Sequence, residues 1–255
     1  MGRALITGAS AGLGLEFAWQ LAAGGHDLVL VARDAERLEH HAAQLRAAGG
    51  VDVEVLPADL ADRAQVERVA ERLRDDVAPV GLLVNNAGFG LRQRFVGGDL
   101  AAEERALDVM VRAVLVLSHA AAGAMADRGR GAICNVASVA ALTASGTYAA
   151  HKAWVRTFTE TLAAQLAGSG VTATALCPGY THTEFHERAG LRMSWLPEVG
   201  FLDAERVVAA GLRDVSRGVV ISTPSLRYKA ASAALRVLPR SLVRRIDHRR
   251  PPRGA

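Results

Sequence analysis

Residues 3–14 read Arg3-Ala4-Leu5-Ile6-Thr7-Gly8-Ala9-Ser10-Ala11-Gly12-Leu13-Gly14. A short apolar run meets three glycines, and an alanine- and leucine-rich stretch follows from Leu13 to Ala23. Strand, glycine turn and helix form the context that a dinucleotide needs. Glycines let the backbone turn sharply and approach a pyrophosphate, whose charge then sits at a helix N-terminus. The spacing here is Gly-x-x-x-Gly-x-Gly, not Gly-x-Gly-x-x-Gly, so taken alone the stretch also fits a turn that binds nothing.

The same alternation continues outward. Apolar runs at Arg3–Thr7, Asp27–Ala32, Val51–Pro57, Val80–Val84, Gly131–Ala137, Val171–Leu176 and Gly218–Ile221 read as strands buried on both faces. Helical stretches at Leu13–Ala23, Asp34–Ala48, Ala61–Asp76, Leu100–Asp127, Thr147–Ala167 and Ala204–Val215 separate them. With right-handed crossovers, this order predicts an α/β fold: a Rossmann-like, doubly wound parallel sheet of about seven strands with helices on both faces. Neither linker nor repeat divides the chain. Residues 1–224 are expected to form one domain, and 225–255 a basic helical extension. A lid is expected over about 179–202, where no regular pattern is visible and Tyr180, Phe185, Met193, Trp195 and Phe201 gather.

Half of the 255 residues are apolar, which excludes a disordered chain. The net charge of +4 is unevenly placed: residues 225–255 hold nine basic residues against the single acid Asp247, leaving 21 basic and 25 acidic residues in the body. A nucleic-acid binder would carry a basic face on its body, so no nucleic-acid partner is expected. Of the 30 basic residues only Lys152 and Lys229 are lysines. Cys134 and Cys177 sit in apolar runs and read as buried free thiols. A strand beginning near Arg3 leaves no room for a signal peptide, and Ile6 stands where myristoylation needs Ser or Thr. The longest apolar stretch, Ala113–Ala126, is interrupted by Ser118-His119 and is short for a bilayer. A cytoplasmic setting is expected.

Two further places carry chemistry. The second strand ends in Ala32-Arg33-Asp34, where an acid would accept the ribose hydroxyl of NAD and an arginine would accommodate the extra phosphate of NADP. Arg33 favours NADP(H) over NAD(H); the alternative is a solvated arginine beside an Asp34 that only caps the next helix. Tyr148 and Lys152 lie four apart on one helical face, and an ammonium favours the phenolate form of a group whose free pKa is about 10. Ser138 follows an apolar strand and would stand at its carboxyl end, where doubly wound sheets bind ligands.

Taken together these stretches resemble the short-chain dehydrogenase/reductase family over nearly the whole chain. Thr7-Gly8-x-x-x-Gly12-x-Gly14, with Ser10 and Leu13 between, matches its cofactor turn; Asp59-Leu60 its adenine-contacting acid; Asn85-Asn86-Ala87-Gly88 its signature after the fourth strand. Ser138, Tyr148 and Lys152 match its catalytic residues in order and spacing, and Pro178-Gly179 with Thr181 and Thr183 its motif after the sixth strand. The resemblance implies that Ser138 hydrogen-bonds the substrate oxygen and Tyr148 exchanges its proton. It implies that Lys152 tunes Tyr148 and holds the nicotinamide ribose. It further implies that Asn86, Ala87 and Gly88 line the adenosine-ribose side and that Thr183 holds the nicotinamide amide or the phosphates. Asn85 either touches ligand or fixes the sheet. A homodimer or homotetramer is the family's usual assembly.

One position departs from the pattern. Met110 stands where the family usually has an asparagine that holds the helix open around a water leading to the lysine. A thioether fills apolar gaps and accepts hydrogen bonds weakly, so the relay is either carried by backbone carbonyls and water or impaired. His119 reads as an interior or interface residue, His151 as a residue near the site or at a subunit contact. His182 and His186 lack further ligands, and no metal is expected. Phe89, Leu91 and Phe95 with the lid aromatics suggest a mainly apolar pocket. The extension, with Leu226, Tyr228, Ala231, Leu235, Leu238, Leu242 and Ile246 among its arginines, reads as a helix packed on the protein or a neighbouring subunit; contact with a membrane surface is the less favoured alternative. The expected function is NADP(H)-dependent hydride transfer at the carbonyl or alcohol carbon of a mainly apolar small molecule. The alternative is a weak or inactive NADP-binding sensor or assembly protein.

Overall fold

Along β1 (Arg3–Thr7), Ala4 and Ile6 pack on one face of the sheet and Leu5 on the other, the two-residue period of a strand buried on both sides. β2 (Asp27–Ala32) repeats the pattern, with Leu28 and Leu30 opposite Val29 and Val31. The computed structural model describes residues 2–91, 93–181 and 201–248. In it α1 (Gly12–Ala23), α2 (Ala35–Gly49), β3 (Val53–Pro57), α3 (Arg63–Arg74), β4 (Val80–Asn85), α4 (Leu100–Leu107), α5 (Ala113–Asp127) and β5 (Gly131–Val136) follow in order. After them come α6 (Gly146–Gln165), β6 (Val171–Leu176), α7 (Ala204–Ser216), β7 (Ile221–Ser222), α8 (Leu226–Val237) and α9 (Arg240–His248). All seven strands are parallel, in the order β3-β2-β1-β4-β5-β6-β7. One face is covered by α1, α2 and α7, the other by α3, α5 and α6. The order reverses between β1 and β4, and their diverging carboxyl ends open a crevice there.

Two expectations are corrected and a third is narrowed. The seventh strand does not begin at Gly218: that glycine takes φ +65°, and the Val219 N–H turns back to the Asp214 carbonyl, so residues 218–219 belong to the exit of α7. The apolar run Ala113–Ala126 is part of a longer helix. α4, a five-residue π-helical turn at Asp108–Arg112 and α5 form one 28-residue stretch, long and apolar enough to cross a bilayer by composition; half of its apolar window is buried in the protein, and it packs on α3 and the sheet. His119 is exposed on α5, which excludes the interior setting of the two expected for it.

A buried polar chain ties this helical face to the sheet. Asn85 Nδ2 donates to Asn135 Oδ1 at 2.9 Å and to Ser118 Oγ at 3.1 Å. Asn135 Nδ2 donates to Thr159 Oγ1 at 3.0 Å, and that hydroxyl donates to the Val155 carbonyl. The chain links β4, β5, α5 and α6, and Asn85 is occupied by the sheet. Asn135→Ala would leave Asn85 and Thr159 short of partners in a dry interior. Urea unfolding should show a loss of about 2–3 kcal/mol; a loss below about 0.5 kcal/mol would contradict the role given to the chain.

Candidate active site

The crevice is held open by a bridge between β1 and β4. The Thr7 hydroxyl accepts the N–H groups of Asn86 (3.0 Å) and Ala87 (3.1 Å) and donates to the Val84 carbonyl (3.4 Å). Asn86 Nδ2 donates back to the carbonyls of Thr7 (3.0 Å) and Gly8 (3.3 Å). Gly8 at φ +66° and Gly12 at φ +55° carry the turn through left-handed conformations. A Cβ on Gly14 would overlap the Gly8 carbonyl oxygen and the Asn86 amide, so α1 can approach the turn only with glycine there. α2, α3, α4 and α7 each open on an aspartate whose carboxylate accepts a first-turn N–H; α1 opens on Ala11, which has no group to do so. Its first-turn N–H groups can thus serve an anion.

Every residue matched to catalysis or cofactor binding in the sequence lines one cavity of about 1080 Å³, apart from Thr7 and Asn85, bonded within the sheet, Gly14, buried beneath the turn, and Thr183, outside the described residues. Near one end stand Arg33, exposed just past β2, and Arg37 on α2. Asp34 caps α2, accepting the Arg37 N–H at 3.0 Å, as the solvated-arginine alternative has it; Arg33 is exposed and also lines the cavity. Asp59 is bound by Arg105 of α4 at 2.6 Å and also accepts the Ala61 N–H. Burial raises the Asp59 carboxyl, but the Arg105 and Ala61 bonds and the charges of Arg105 and Arg33 together bring it below its ordinary range. Leu60 beside it is buried.

Toward the other end, Ser138 caps the short 3₁₀ turn Val139–Leu142. Its Oγ accepts the Ala140 N–H at 3.1 Å and faces the Pro178 carbonyl at 3.5 Å. Tyr148 and Lys152 are one turn apart in α6, with Lys152 Nζ 5.8 Å from the centre of the Tyr148 ring. Lys152 is 5% exposed and donates to the Val136 carbonyl at 2.7 Å. Burial pushes its ammonium down from 10.5 to about 8, so it stays mostly charged at neutral pH. Met110 is buried at the centre of the π-helical turn, and a Cβ on Gly88 would touch both its side chain and Lys152 Nζ. The helix thus widens beside the lysine with a thioether in place. His151, just before Lys152 in α6, has a buried Nδ1 with no hydrogen-bond partner among the described residues, and burial lowers its pKa.

Phe89, Leu91 and Tyr180 line the cavity as expected, whereas Phe95 is 64% exposed and stands outside it. Phe185, Met193, Trp195, His182 and His186 lie outside the described residues. Among the described residues no three His, Cys, Asp or Glu gather for a metal. Cys134 and Cys177 are free and buried, their thiols pushed up to about 12 and about 11 by burial. Four residues at the cavity escape a sequence reading. Arg37 and Arg105 are helix-surface arginines among many, and Tyr228 and Ser232 lie in the extension, over forty residues past Gly179.

Comparison with known proteins gives a consistent set. The family profile "short chain dehydrogenase" matches residues 3–193. A short-chain dehydrogenase from Sphingobium yanoikuyae, solved in complex with NADPH, is 37% identical with a TM-score of 0.85, covering 92% of this chain and 94% of that one. A bulky-bulky ketone specific alcohol dehydrogenase from Comamonas testosteroni is 31% identical with a TM-score of 0.80, covering 94% and 96%. The ketoacyl reductase HetN of Nostoc sp. is 32% identical over 179 residues, 69% of this chain; the match spans 62% of that relative's length.

The buried ammonium makes stability depend on pH. Lys152 has a folded pKa of about 8 against 10.5, so from about pH 8 to 10.5 the unfolded chain binds more protons and stability rises with pH. The two raised thiols act in the opposite direction above their ordinary value of 9. The difference between wild type and Lys152→Met therefore isolates the lysine. It should shift in favour of wild type by on the order of 3 kcal/mol across that window in chemical unfolding of the ligand-free protein. A flat difference would contradict the burial of a charged lysine.

Proposed function

This chain belongs to the short-chain dehydrogenase family, and on that premise we propose that it is an NADP(H)-dependent oxidoreductase interconverting a carbonyl and an alcohol on a mainly apolar small molecule. The observation that carries the proposal is that Ser138, Tyr148 and Lys152 line the same cavity as the glycine-rich turn. The turn's close backbone, the α1 N-terminus and the arginines past β2 fit a dinucleotide with an extra phosphate at its adenosine end. Gly8, Ser10, Gly12, Leu13 and Gly14 would hold the pyrophosphate, Arg33 the extra phosphate, Asp59 and Leu60 the adenine. Asn86, Ala87 and Gly88 would border the ribose, and Pro178, Gly179, Thr181 and Thr183 the nicotinamide side.

When bound, the nicotinamide supplies or accepts a hydride at the substrate carbon. Ser138 donates a hydrogen bond to the substrate oxygen and holds it toward Tyr148. In reduction Tyr148 gives its phenolic proton to that oxygen as negative charge develops there; in oxidation it takes the proton back. Lys152, charged at neutral pH and anchored to Val136, stabilises negative charge on the Tyr148 oxygen and also reaches the nicotinamide ribose. Residues 1–224 are read as the catalytic unit and 225–255 as its extension. Two free buried thiols suit the cytoplasm, and a homodimer or homotetramer joined through the long helices would cover the exposed Leu107 and Leu115.

NADPH oxidation over a panel of ketones and aldehydes tests the reading. Tyr148→Phe should lower kcat by about 10²–10⁴-fold while NADPH still binds; unchanged turnover would remove Tyr148 from the chemistry. Arg33→Ala should weaken NADPH binding about tenfold to a hundredfold and leave NADH binding unchanged; equal effects on both would end the NADP preference. Met110→Asn should leave kcat and its pH profile within about twofold, because the widened turn and the Lys152–Val136 bond already form with methionine. A large gain in turnover would instead favour the weak or inactive binder.

A further inference from the structure

The helix that follows β7 is held on the body in one orientation. Tyr228 of α8 accepts the Tyr180 N–H at 3.2 Å through its hydroxyl, and its ring lies where any Cβ on Gly179 would be. Arg227 donates to the Phe201 carbonyl, and Arg240 at the start of α9 donates to the Leu142 carbonyl. With Tyr228, Ala231, Ser232 and Leu235 turned to the cavity, the opposite side of α8 is turned outward.

That outward side is also apolar. Leu226, Ala230, Ala233 and Val237 recur at intervals of four, three and four residues, so at 100° per residue they fall within a sector of about 60° opposite the cavity face. All four are exposed, Leu226 at 83% and Val237 at 82%. One exposed leucine carries no meaning, but a stripe along the whole length of a helix is not the pattern of a solvated face. Lys229 and Arg236, seven residues apart and both exposed, follow one edge of the stripe, and α8 contains no acid. The next helix, α9, exposes Leu242, Arg244 and Arg245. Among the described residues none of Lys229, Arg236, Arg244 and Arg245 pairs with a carboxylate.

We propose that this outward face is a docking surface for an anionic phospholipid bilayer. α8 lies along the membrane surface, with Leu226 and Val237 at the acyl boundary and Lys229 and Arg236 against lipid phosphates. Charge selects this occupant. A second copy related by a two-fold axis would set basic edge near basic edge, with only Asp247 in residues 225–255 to offset nine basic residues. A nucleic acid would engage the cations and leave the hydrocarbon stripe unburied. A bilayer surface uses both features. Packing on the body and contact with a membrane are then served by opposite faces of one helix, and the cavity stands one helix thickness, roughly 10 Å, from the lipid. The docking surface goes beyond the oxidoreductase reading, which stands without it.

Flotation of the full chain with vesicles of phosphatidylcholine alone, and of an equal mixture with phosphatidylglycerol, tests the proposal. At about 0.15 M salt wild type should bind the anionic vesicles at least about tenfold more tightly, and about 1 M salt should remove most of the difference. The pair Leu226→Ser and Val237→Ser, and separately the pair Lys229→Gln and Arg236→Gln, should each weaken that binding about tenfold. Urea unfolding should stay unchanged in both pairs, and turnover of a water-soluble ketone should stay within about twofold. Binding to neither vesicle, equal binding to both, or binding that survives the serine pair overturns the inference and leaves the oxidoreductase reading standing. A serine pair that lowers the oligomeric state in sedimentation velocity assigns the stripe to a second copy and also overturns it. Docking that behaves as expected in a chain with no NADPH-dependent turnover supports the inference and overturns the oxidoreductase reading alone.

Discussion

The site depends on the hydrogen bonds that join the end of β1 to the end of β4. Parallel strands whose helices leave toward opposite faces diverge at their carboxyl ends, and without a bridge the crevice would have no defined width. Thr7 provides one hydroxyl that accepts two N–H groups and donates to Val84, and Asn86 returns an amide to the first glycine of the turn. The turn is thereby held from the β4 side, at the height where α1 begins. Gly14 completes the arrangement by letting α1 come close enough for its N–H groups to face the cavity. Position, not side-chain reach, is what the glycine-rich segment contributes.

Charge is then distributed along the cavity according to how much solvent each part keeps. At the exposed end three arginines stand against two acids: Arg33 and Arg37 border the opening beside Asp34, and Arg105 holds Asp59. Such forks suit planar or phosphate partners and stay charged at any working pH. At the enclosed end a single buried ammonium, Lys152, donates to a carbonyl and keeps its charge because the neutral pH range lies below its lowered pKa. A compact ammonium with a single carbonyl partner suits that place better than a planar guanidinium fork, which fits the presence there of one of two lysines in an arginine-rich chain. The basic excess of the extension has a different meaning: α8 turns an apolar side and one serine to the cavity while Arg227 and Arg240 hold backbone carbonyls of the body.

Much of this was legible in the residues themselves. Strand alternation, glycine positions and the Ser138, Tyr148 and Lys152 spacing are local patterns, and local patterns survive folding because the parallel sheet brings successive strand ends to one edge. Arg105 was not legible, because its partner Asp59 lies forty-six residues away and nothing in α4 distinguishes it from other exposed arginines. Ser232 was not legible either: a serine in a basic amphipathic stretch carries no signal until the helix is seen packed beside Pro178 and Gly179. The end of α7 was misread because Gly218-Val219-Val220 has the composition of a strand, whereas the positive φ of Gly218 bends it away. Met110 breaks the sequence pattern without breaking the shape, since the π-helical widening forms around a thioether as well.

The central claim is that these residues promote hydride exchange between NADPH and a carbonyl carbon. Its most direct measurement is isotopic. NADPH deuterated at its transferring carbon should leave deuterium on the carbinol carbon of a bulky ketone product, on one face only. NADPH that binds in the cavity yet passes no deuterium to any ketone offered would contradict the account.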